Sequence, residues 1–462
     1  MKITTPNNKS FNLKFDLFKH QIDTFKFIEK NNKCFIFNEP GTGKTEPIIT
    51  NICYNILSKD FKKVLIVSTL TTLKKVWYDT FSNHNLLDIA NPIIVNGDKE
   101  DKEKILKENK HVTYIINPDG ISNLIDLLLK IKFDYIIIDE ATTFKIASSQ
   151  KSKDMLKLIK KSDPKYLILA TGTPIPNKPL DGHGLLKLMY PKEYSSKINF
   201  RMLVETQIKD FIWIPKKDYK ETLSKLLQPS IYYKKSDVLK EIQEEAIHFE
   251  KFNLSDEQSK YFKEMAKEFV VELDSGVKIE SVSAGVKRLK LMQILGGSLK
   301  NDEQSFRFNV DNKLKVIENI IVNKTVNKAI IFCNFKEHID IVLDYFKDKY
   351  RCAVITGDVN LKERNKIFTG FQDNNTIDLL IAIPKCMAHG ITLTVADSII
   401  YYTPTDNETY LQANARINRP GQLEVPKIWH VYGNEYDKSK FNDNLSKTSD
   451  QNELLILTRL LS

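Results

Sequence analysis

The chain has 462 residues, which is too long for one hydrophobic core and predicts two or three domains. Its formal charge of +10 favours a polyanionic partner such as nucleic acid. Its richness in Lys, Asn and Ile is also typical of low-GC genomes, and this bias in composition explains the charge equally well. The five cysteines are scattered, with no C-x-x-C pair, which argues against a disulfide framework and a zinc site. Without a signal-peptide core or a run of about 18 apolar residues, we expect a soluble intracellular protein that does not bind membranes.

A glycine-containing segment near the N-terminus predicts a phosphate-binding loop. Residues 38–45 read Asn-Glu-Pro-Gly-Thr-Gly-Lys-Thr, after the apolar run 34–37 and before a helical pattern. The glycines let backbone N–H groups face phosphate oxygens, Lys44 can reach the β- and γ-phosphates, and the Thr45 hydroxyl can hold Mg²⁺. Gln21, upstream, can read an adenine edge with its amide, although a solvated Gln on a helix face is commoner. The pattern predicts a site for ATP and Mg²⁺.

Short, continuous apolar runs predict an α/β fold. Four runs follow the phosphate-binding loop, separated by helix-like or polar sequence, at 64–67, 112–116, 135–138 and 166–169. Continuous rather than alternating runs are typical of strands buried on both faces, as in a doubly wound parallel sheet. A second series repeats the pattern without a phosphate-binding loop, at 329–332, 353–355, 379–382, 398–402 and 428–431.

The region between the two series is predicted to be mainly helical. Charged stretches with helical spacing occupy residues 255–272 and 286–295, and Gly296-Gly297 predicts the end of the second helix. The predicted domains are an N-terminal lobe at 1–181, helical insertions and a crossover at 182–306, a second lobe at 307–440 and a C-terminal helix at 441–462.

Polar residues follow two strands of the first series. Asp139-Glu140 comes directly after the run 135–138, so its carboxylates are expected at the carboxyl edge of the sheet, beside the phosphate-binding loop. There Asp139 would hold Mg²⁺ and Glu140 would polarise the water that attacks the γ-phosphate. Thr171-Gly172-Thr173 follows the next strand. Alone it is an ordinary turn, but in this order we favour a link between the nucleotide and the other lobe.

Two arginines late in the chain predict a contribution from the second lobe. Arg416 and Arg419 are three residues apart, which would set them on one side of a helix that Pro420-Gly421 terminates. A guanidinium from another lobe can stabilise charge that develops on the γ-phosphate. The alternative is two solvated arginines near a helix end.

The order of these elements resembles superfamily-two helicase motors, and within them the Swi/Snf-like group of double-stranded DNA translocases. The narrower resemblance rests on residues 39–45, 169–177 and 416–422, which read E-P-G-T-G-K-T, L-A-T-G-T-P-I-P-N and R-I-N-R-P-G-Q. Weaker similarities lie at 254–258, 311–314 and 390–397, and the resemblance covers roughly residues 15–431. It implies two RecA-like lobes that close on ATP·Mg²⁺, hydrolyse it and move along duplex DNA.

The resemblance also implies roles for individual residues. Catalysis would fall to Lys44, Asp139, Glu140, Arg416 and Arg419. The implied ATP contacts are Gln21, Gly41, Thr42, Gly43, Lys44, Thr45 and Gln412, the Mg²⁺ ligands are Thr45 and Asp139, the coupling residues are Thr171, Thr173 and Gly390, and the DNA-binding candidates are Thr69, Asn117, Lys145, Asn334 and Lys385. A single residue of the DNA-binding set is more often a loop cap than a DNA contact.

Three segments depart from the family pattern. Asn38 stands where the family has an acidic residue, and residues 387–389 read Met-Ala-His where the family is rich in glycine. Residues 231–235 read Ile-Tyr-Tyr-Lys-Lys in place of an arginine-led segment. The last two departures bear on the grip on DNA and on coupling between the lobes more than on ATP binding.

We therefore expect a monomeric, DNA-stimulated ATPase that translocates on double-stranded or branched DNA, with a use in replication, repair or recombination. A strand-separating DNA or RNA helicase is the alternative among enzymes, and a DNA-binding clamp without turnover is the alternative from another class. The compact length and the composition are typical of a viral or low-GC bacterial source, which implies the cytoplasm or nucleoid, or the host cytoplasm for a virus.

Overall fold

The computed structural model describes residues 1–239, 242–268, 270–272, 278–281, 283–301, 304–387 and 391–461. The chain divides into two compact units, a first unit of Met1–Lys240 with Thr448–Ser462 and a second unit of Glu241–Lys447. Residues 182–306, predicted as one insertion region, are therefore shared between the two units. Among the described residues, no helix is both long enough and apolar enough to cross a membrane.

The first unit is built on a seven-stranded, all-parallel sheet with the strand order β11-β3-β8-β7-β4-β6-β5. Two antiparallel hairpins, β1-β2 and β9-β10, lie outside it. The strands are β1 (Lys2–Thr4), β2 (Ser10–Asn12), β3 (Lys33–Ile36), β4 (Val64–Val67), β5 (Pro92–Ile94), β6 (Thr113–Ile116), β7 (Tyr135–Asp139), β8 (Tyr166–Ala170), β9 (Glu205–Lys209), β10 (Ile212–Pro215) and β11 (Ser230–Ile231).

Helices connect these strands and cover the sheet. They are α1 (Lys19–Lys30), α2 (Thr45–Lys59), α3 (Asp79–Asn83), α4 (Leu87–Ala90), α5 (Lys99–Glu108), α6 (Pro118–Asn123), α7 (Ile125–Leu128), α8 (Gln150–Ser162), α9 (Gly182–Met189), α10 (Lys197–Val204), α11 (Tyr219–Leu226) and α12 (Lys235–Val238). A π-helical turn spans Leu73–Tyr78, and 3₁₀ turns span Ala141–Phe144 and Pro179–Asp181.

Successive residues of the central strands pack into two different cores. In β7, Ile136 and Ile138 join one buried cluster, whereas Tyr135 and Ile137 join a second cluster. Because side chains alternate along a strand, the two clusters lie on opposite faces of the sheet. Burial on both faces explains the continuous apolar runs in the sequence and confirms the predicted doubly wound fold.

The second unit repeats this architecture with a six-stranded parallel sheet of order β12-β21-β20-β17-β19-β18. The strands are β12 (Ala246–Lys251), β13 (Val270–Glu272), β14 (Lys278–Glu280), β15 (Ser298–Lys300), β16 (Ser305–Arg307), β17 (Lys328–Phe332), β18 (Cys352–Ile355), β19 (Leu379–Ala382), β20 (Ala396–Tyr401) and β21 (Lys427–Tyr432). The helices are α13 (Asp256–Glu268), α14 (Ala284–Leu295), α15 (Asp311–Asn323), α16 (Lys336–Phe346), α17 (Leu361–Gln372), α18 (Pro384–Met387), α19 (Asn407–Asn414) and α20 (Glu435–Leu460).

The predicted insertion region contains hairpins as well as helices. In the second unit, α13 and α14 form a small buried cluster with side chains of β13, β14 and β15. The sequence did not predict these hairpins, nor β9-β10, because their strands are short and lack a continuous apolar run. Gly296 does follow the end of α14 and Gly297 has a positive φ of 89°, as the paired glycines predicted.

Candidate active site

The predicted phosphate-binding loop connects β3 to α2. Gly41 and Gly43 have positive φ angles of 91° and 73°, a backbone conformation that glycine adopts without strain. A Cβ atom at Gly43 would lie 2.4 Å from Nε2 of Gln21, so a side chain there would also collide with α1. The N-terminus of α2 follows directly, and its free N–H groups favour an anion. This loop fits a phosphate chain.

Lys44 and Thr45 lie where the loop joins α2. Lys44 precedes the first helical residue, Thr45, and its ammonium group donates to the carbonyl oxygens of Asn38 at 2.9 Å and Glu39 at 3.4 Å. The Thr42 hydroxyl also donates to the carbonyl of Glu39, at 2.8 Å. The loop is thus closed on itself by its own side chains, with the lysine charge held at the loop.

The acidic pair lies at the carboxyl end of β7. Asp139 is the last residue of that strand, and one of its oxygens accepts hydrogen bonds from Ser68 Oγ at 2.9 Å and Trp77 Nε1 at 3.1 Å. Its other oxygen accepts from the backbone N–H of Glu140 at 3.0 Å. These three donors fix the orientation of the carboxylate. The sequence analysis predicted neither Ser68 nor Trp77 as a partner of this carboxylate.

Glu140 has an unusual backbone conformation. Its φ of 49° and ψ of 51° lie in the left-handed region, which costs a non-glycine residue about 1 kcal/mol or more. The left-handed residue ends β7 abruptly and starts the 3₁₀ turn Ala141–Phe144. Such strain is retained mainly where the surrounding structure imposes it, and it is frequent at functional sites.

The turn Thr171-Gly172-Thr173 follows β8, which lies between β3 and β7. The Thr171 hydroxyl accepts from the backbone N–H of Thr173 at 3.1 Å. A Cβ atom at Gly172 would lie 2.5 Å from Pro40 Cδ, so the turn touches the phosphate-binding loop. Because carboxyl ends of neighbouring parallel strands share one edge, the loop, the turn and the acidic pair lie side by side.

Several buried polar atoms at this edge lack partners. The hydroxyl groups of Thr142 and Thr173 are buried and form no hydrogen bond within the described part of the chain. One carboxylate oxygen of Glu46, in the first turn of α2, is in the same situation, and burial raises the pKa of this carboxyl group. Unpaired buried hydroxyls beside a carboxylate are chemically suited to a hydrated metal–phosphate group.

Gln21 lies against the phosphate-binding loop. Its Oε1 accepts from the backbone N–H of Phe18 at 2.9 Å, and its Nε2 donates to the carbonyl of Gly43 at 3.1 Å. The neighbouring His20 ring lies 2.8 Å from the carbonyl oxygen of Thr42 through Nε2. Gln21 therefore ties α1 to the loop, and it is buried rather than on a solvated helix face.

The segment after β11 also packs on the loop, which the sequence did not predict. The Glu39 carboxylate accepts from the Tyr232 hydroxyl at 3.2 Å and from the backbone N–H of Lys235 at 2.7 Å. Asn38 Oδ1 accepts from the backbone N–H of Tyr233 at 3.1 Å. Asn38 and Tyr232-Tyr233, which both differ from the family pattern, thus lie in one hydrogen-bonded cluster.

In the second unit, the two predicted arginines are held by carbonyl groups. Arg416 is buried and donates through Nε to the carbonyl of Gln412 at 2.7 Å. Arg419 donates to the carbonyl of Ala415 at 3.0 Å and to the Thr392 hydroxyl at 2.8 Å. Burial lowers the pKa of Arg419 to about 10. The prediction that both lie on a helix ended by Pro420-Gly421 is wrong, because α19 ends at Asn414 and the arginines follow on turns.

Of the DNA-binding candidates in the first unit, Thr69 bonds within its own loop. Its hydroxyl lies 3.0 Å from that of Thr72. Asn117 is the N-cap residue of α6 but makes no capping hydrogen bond with its side chain. Lys145 directly follows the 3₁₀ turn Ala141–Phe144. These three residues follow β4, β6 and β7, at the same sheet edge as the phosphate-binding loop.

The candidates in the second unit differ in their surroundings. Asn334 donates its amide to the carbonyl of Pro404 at 2.7 Å and to the Thr403 hydroxyl at 3.0 Å. Lys385, on α18, is exposed and lies 3.9 Å from the Asp406 carboxylate. Gln412 is buried on α19. Gly390, with the preceding Ala388 and His389, lies outside the described residues.

Comparisons with known proteins agree with this geometry. Residues 20–308 match the model of the SNF2-related domain, and residues 312–421 match the helicase conserved C-terminal domain. An uncharacterized ATP-dependent helicase of Mycoplasma genitalium is 24% identical, over 99% of this chain and 43% of its own length. Chromodomain-helicase-DNA-binding protein 8 of Xenopus tropicalis is 24% identical, over 90% of this chain and 20% of its own length.

One solved structure similar to this chain is the SWI2/SNF2 ATPase core of Sulfolobus solfataricus in complex with double-stranded DNA. The two chains are 23% identical with a TM-score of 0.47, and the match covers 97% of this chain and 96% of that one. The chain spans less than half the length of the curated relatives named above. The first family model alone matches more than half of the chain. The chain therefore belongs to the SNF2-related family, with a helicase C-terminal domain as its second part.

Proposed function

We propose that the chain is an ATP-dependent translocase on double-stranded DNA. The observation that carries the hydrolytic part is that β3, β8 and β7 are neighbours in one parallel sheet. The phosphate-binding loop, the Thr171 turn and the Asp139-Glu140 pair consequently share one edge. A phosphate cradle beside an oriented carboxylate is the arrangement that phosphoryl transfer to water requires.

Each residue of this edge has a defined task in the proposal. Lys44 and the loop N–H groups bind the phosphates, and Gln21 and the other loop residues position the nucleotide. Thr45 and Asp139 would hold Mg²⁺, which neutralises phosphate charge when it is bound. Ser68 and Trp77 keep the Asp139 carboxylate in place. Glu140 orients the attacking water and accepts its proton.

We assign Arg416 and Arg419 a share in stabilising the charge of the transferred phosphoryl group. Both guanidinium groups are already oriented by hydrogen bonds to their own unit, which reduces the entropy lost when they act. Gln412, whose carbonyl accepts from Arg416, is assigned to ATP binding. Thr171, Thr173 and Gly390 are proposed to couple hydrolysis to movement.

Double-stranded DNA is the proposed track. Family membership, the formal charge of +10 and a relative whose name includes DNA binding support this choice. The DNA-binding candidates offer hydroxyl, amide and ammonium groups, which suit phosphate oxygens and carry no base information. We therefore propose tracking without sequence preference, on linear or branched duplexes, by a single copy of the chain.

A panel of nucleic acids separates this function from its alternatives. ATP hydrolysis should be stimulated most by linear or forked duplex DNA. Stimulation by single strands or RNA alone would instead favour a strand-separating helicase, and duplex binding without any turnover would favour a clamp. A clear preference for forked over linear duplex would support a use on branched DNA.

Glu140→Gln tests the assigned hydrolytic residue directly. Because a positioned general base contributes at least about 10²-fold, the variant should lose stimulated hydrolysis by that factor or more while it still binds ATP. Glu100→Gln, an exposed residue of α5 in the same unit, is the matched control and should keep the wild-type rate. Wild-type hydrolysis by Glu140→Gln would refute the assignment.

A further inference from the structure

The last turns of α20 belong to the first unit, although the rest of this helix belongs to the second. Leu454 and Leu455 are each 1% exposed and pack into a core cluster of the first unit. Lys220 on α11 pairs with Asp450 at 2.6 Å, and Gln228 Nε2 donates to the carbonyl of Thr458 at 3.0 Å. The C-terminal segment, residues 448–461, is thus a docked part of the first unit.

This docking brings Arg459 to the segment that follows β11. Its guanidinium group donates to the Asp237 carboxylate at 2.8 Å and lies 6.0 Å from the centre of the Tyr233 ring. The guanidinium remains about half exposed, with 48% of its side chain accessible, so it keeps donors free for another group. Tyr233 in turn bonds through its backbone N–H to Asn38 of the phosphate-binding loop.

Arg459 lines a cavity next to that loop. The cavity has a volume of about 450 Å³, and its walls are Phe18, Lys19, His20, Asp23, Tyr233, Asp237, Val238 and Arg459. His20 connects the cavity to the loop, because its Nε2 lies 2.8 Å from the Thr42 carbonyl. The adjacent Gln21 contacts Gly43. The size lies within the range of roughly 300–1,000 Å³ that is usual for small-ligand sites.

The walls of this cavity suit a nucleobase better than a phosphate. Phe18 is 60% exposed and its ring stacks on His20 at 5.9 Å, which offers a flat surface to a second ring. The carboxylates of Asp23 and Asp237 offset the charges of Lys19 and Arg459, so the walls carry no excess positive charge to hold a phosphate, and they can accept hydrogen bonds from an exocyclic amino group. A guanidinium plane packs well on a purine ring.

We propose that Arg459 forms a wall of the base end of the nucleotide site, so that a purine nucleotide and the docked C-terminal segment stabilise each other. This inference rests on the proposed function, because the phosphate-binding loop must hold the triphosphate for the base to reach the cavity. Binding energies of two groups that share a contact are linked, so the coupling acts in both directions. Arg459 is thus a base-binding residue supplied from the far end of the chain.

The test compares two ligands that share the phosphates but not the base. Arg459→Ala should weaken ATP binding about tenfold, which corresponds to about 1.4 kcal/mol, and leave the affinity for inorganic tripolyphosphate unchanged. The ATP affinity of Arg459→Lys should lie between those of the wild type and Arg459→Ala, because lysine keeps the charge but lacks the planar group. Equal ATP affinity of wild type and Arg459→Ala would overturn the proposal.

Three further variants test whether the loss of ATP affinity comes from the base contact itself. Lys220→Ala removes the ion pairs to Asp450 and Glu453 on the same segment without touching the cavity, and it should bind ATP more tightly than Arg459→Ala does. The double variant Arg459→Ala/Asp237→Asn should bind ATP as weakly as Arg459→Ala does. Recovery of ATP affinity in the double variant would show that Arg459 only neutralises Asp237, which contradicts the proposal. If Lys44→Ala binds both ligands like the wild type, the proposed nucleotide site itself is wrong.

Discussion

Glu46 is a negatively charged residue in an unfavourable position for a phosphate-binding helix. It follows Thr45 in the first turn of α2, it is half-buried, and one of its carboxylate oxygens is buried without a partner among the described residues. Burial raises the pKa of its carboxyl group, with the His20 ring acting in the opposite direction. A carboxyl group with a raised pKa favours the folded protein below its ordinary pKa, and this contribution is lost as the pH rises through the raised value.

We expect Glu46→Gln to bind ATP more tightly than the wild type at neutral pH. The substitution removes a carboxylate that repels the phosphates, and an effect of about 1 kcal/mol corresponds to about fivefold in the dissociation constant. The measurement is an ATP titration at several pH values. The advantage of the variant should shrink as the pH falls and Glu46 becomes protonated, and a constant ratio of affinities would contradict this explanation.

Ser68, which follows β4, bonds to the acidic pair. Its hydroxyl group donates to Asp139, so Ser68→Ala should loosen the proposed Mg²⁺ ligand and lower kcat for ATP by about fivefold, for a loss of about 1 kcal/mol. Trp77 still holds the carboxylate and limits the loss. Ser82→Ala, at an exposed position of α3 in the same unit, is the matched control. A change in duplex affinity with an unchanged kcat would instead identify Ser68 as a DNA contact.

At the scale of single residues, the sequence predicted what is local. Lys44, Thr45 and Asp139 could be predicted as site residues because the loop and the acidic pair are each contiguous and each follow a strand. Trp77, Tyr232 and Arg459 were missed because they reach the site from positions remote in sequence. Only the packing of the π-helical turn Leu73–Tyr78, the segment after β11 and the end of α20 brings them there, and no spacing rule describes this packing.

Among the elements, the docked end of α20 is the one whose energetics are simplest to test. Leu454→Ala should destabilise the first unit by about 2–5 kcal/mol, because the residue is 1% exposed in a core cluster. Leu460→Ala, on the same helix but 76% exposed, is the matched control and should change stability by less than about 0.5 kcal/mol. Equal unfolding curves for the two variants would show that the segment is not docked.

The sequence predicted the sheet strands more reliably than the helix ends. The central strands are continuous apolar runs because both faces are buried, and such runs are easily recognised. The C-terminal helix was expected within residues 441–462, whereas α20 begins at Glu435. The helix before Arg416 ends earlier than Pro420-Gly421 suggested, because the arginines bond to nearby carbonyls on turns.

At the scale of the whole molecule, two parallel α/β units are joined in one chain, and the last segment of the chain returns to the first unit. The relatives are more than twice as long as the region they share with this chain, so the same pair of units occurs within larger proteins. In the proposed function, movement along DNA uses both units, whereas the loop and the acidic pair lie in the first unit alone.

The most direct test of the central claim is displacement of a third strand from duplex DNA, driven by ATP. We predict that the wild type displaces the strand from a triplex flanked by plain duplex, in an ATP-dependent manner, whereas Lys44→Ala and Glu140→Gln do not. Because the flanking duplex stays paired, the assay reports translocation without strand separation. Failure of the wild type to displace the strand, under conditions where duplex DNA stimulates its ATP hydrolysis, would contradict the account.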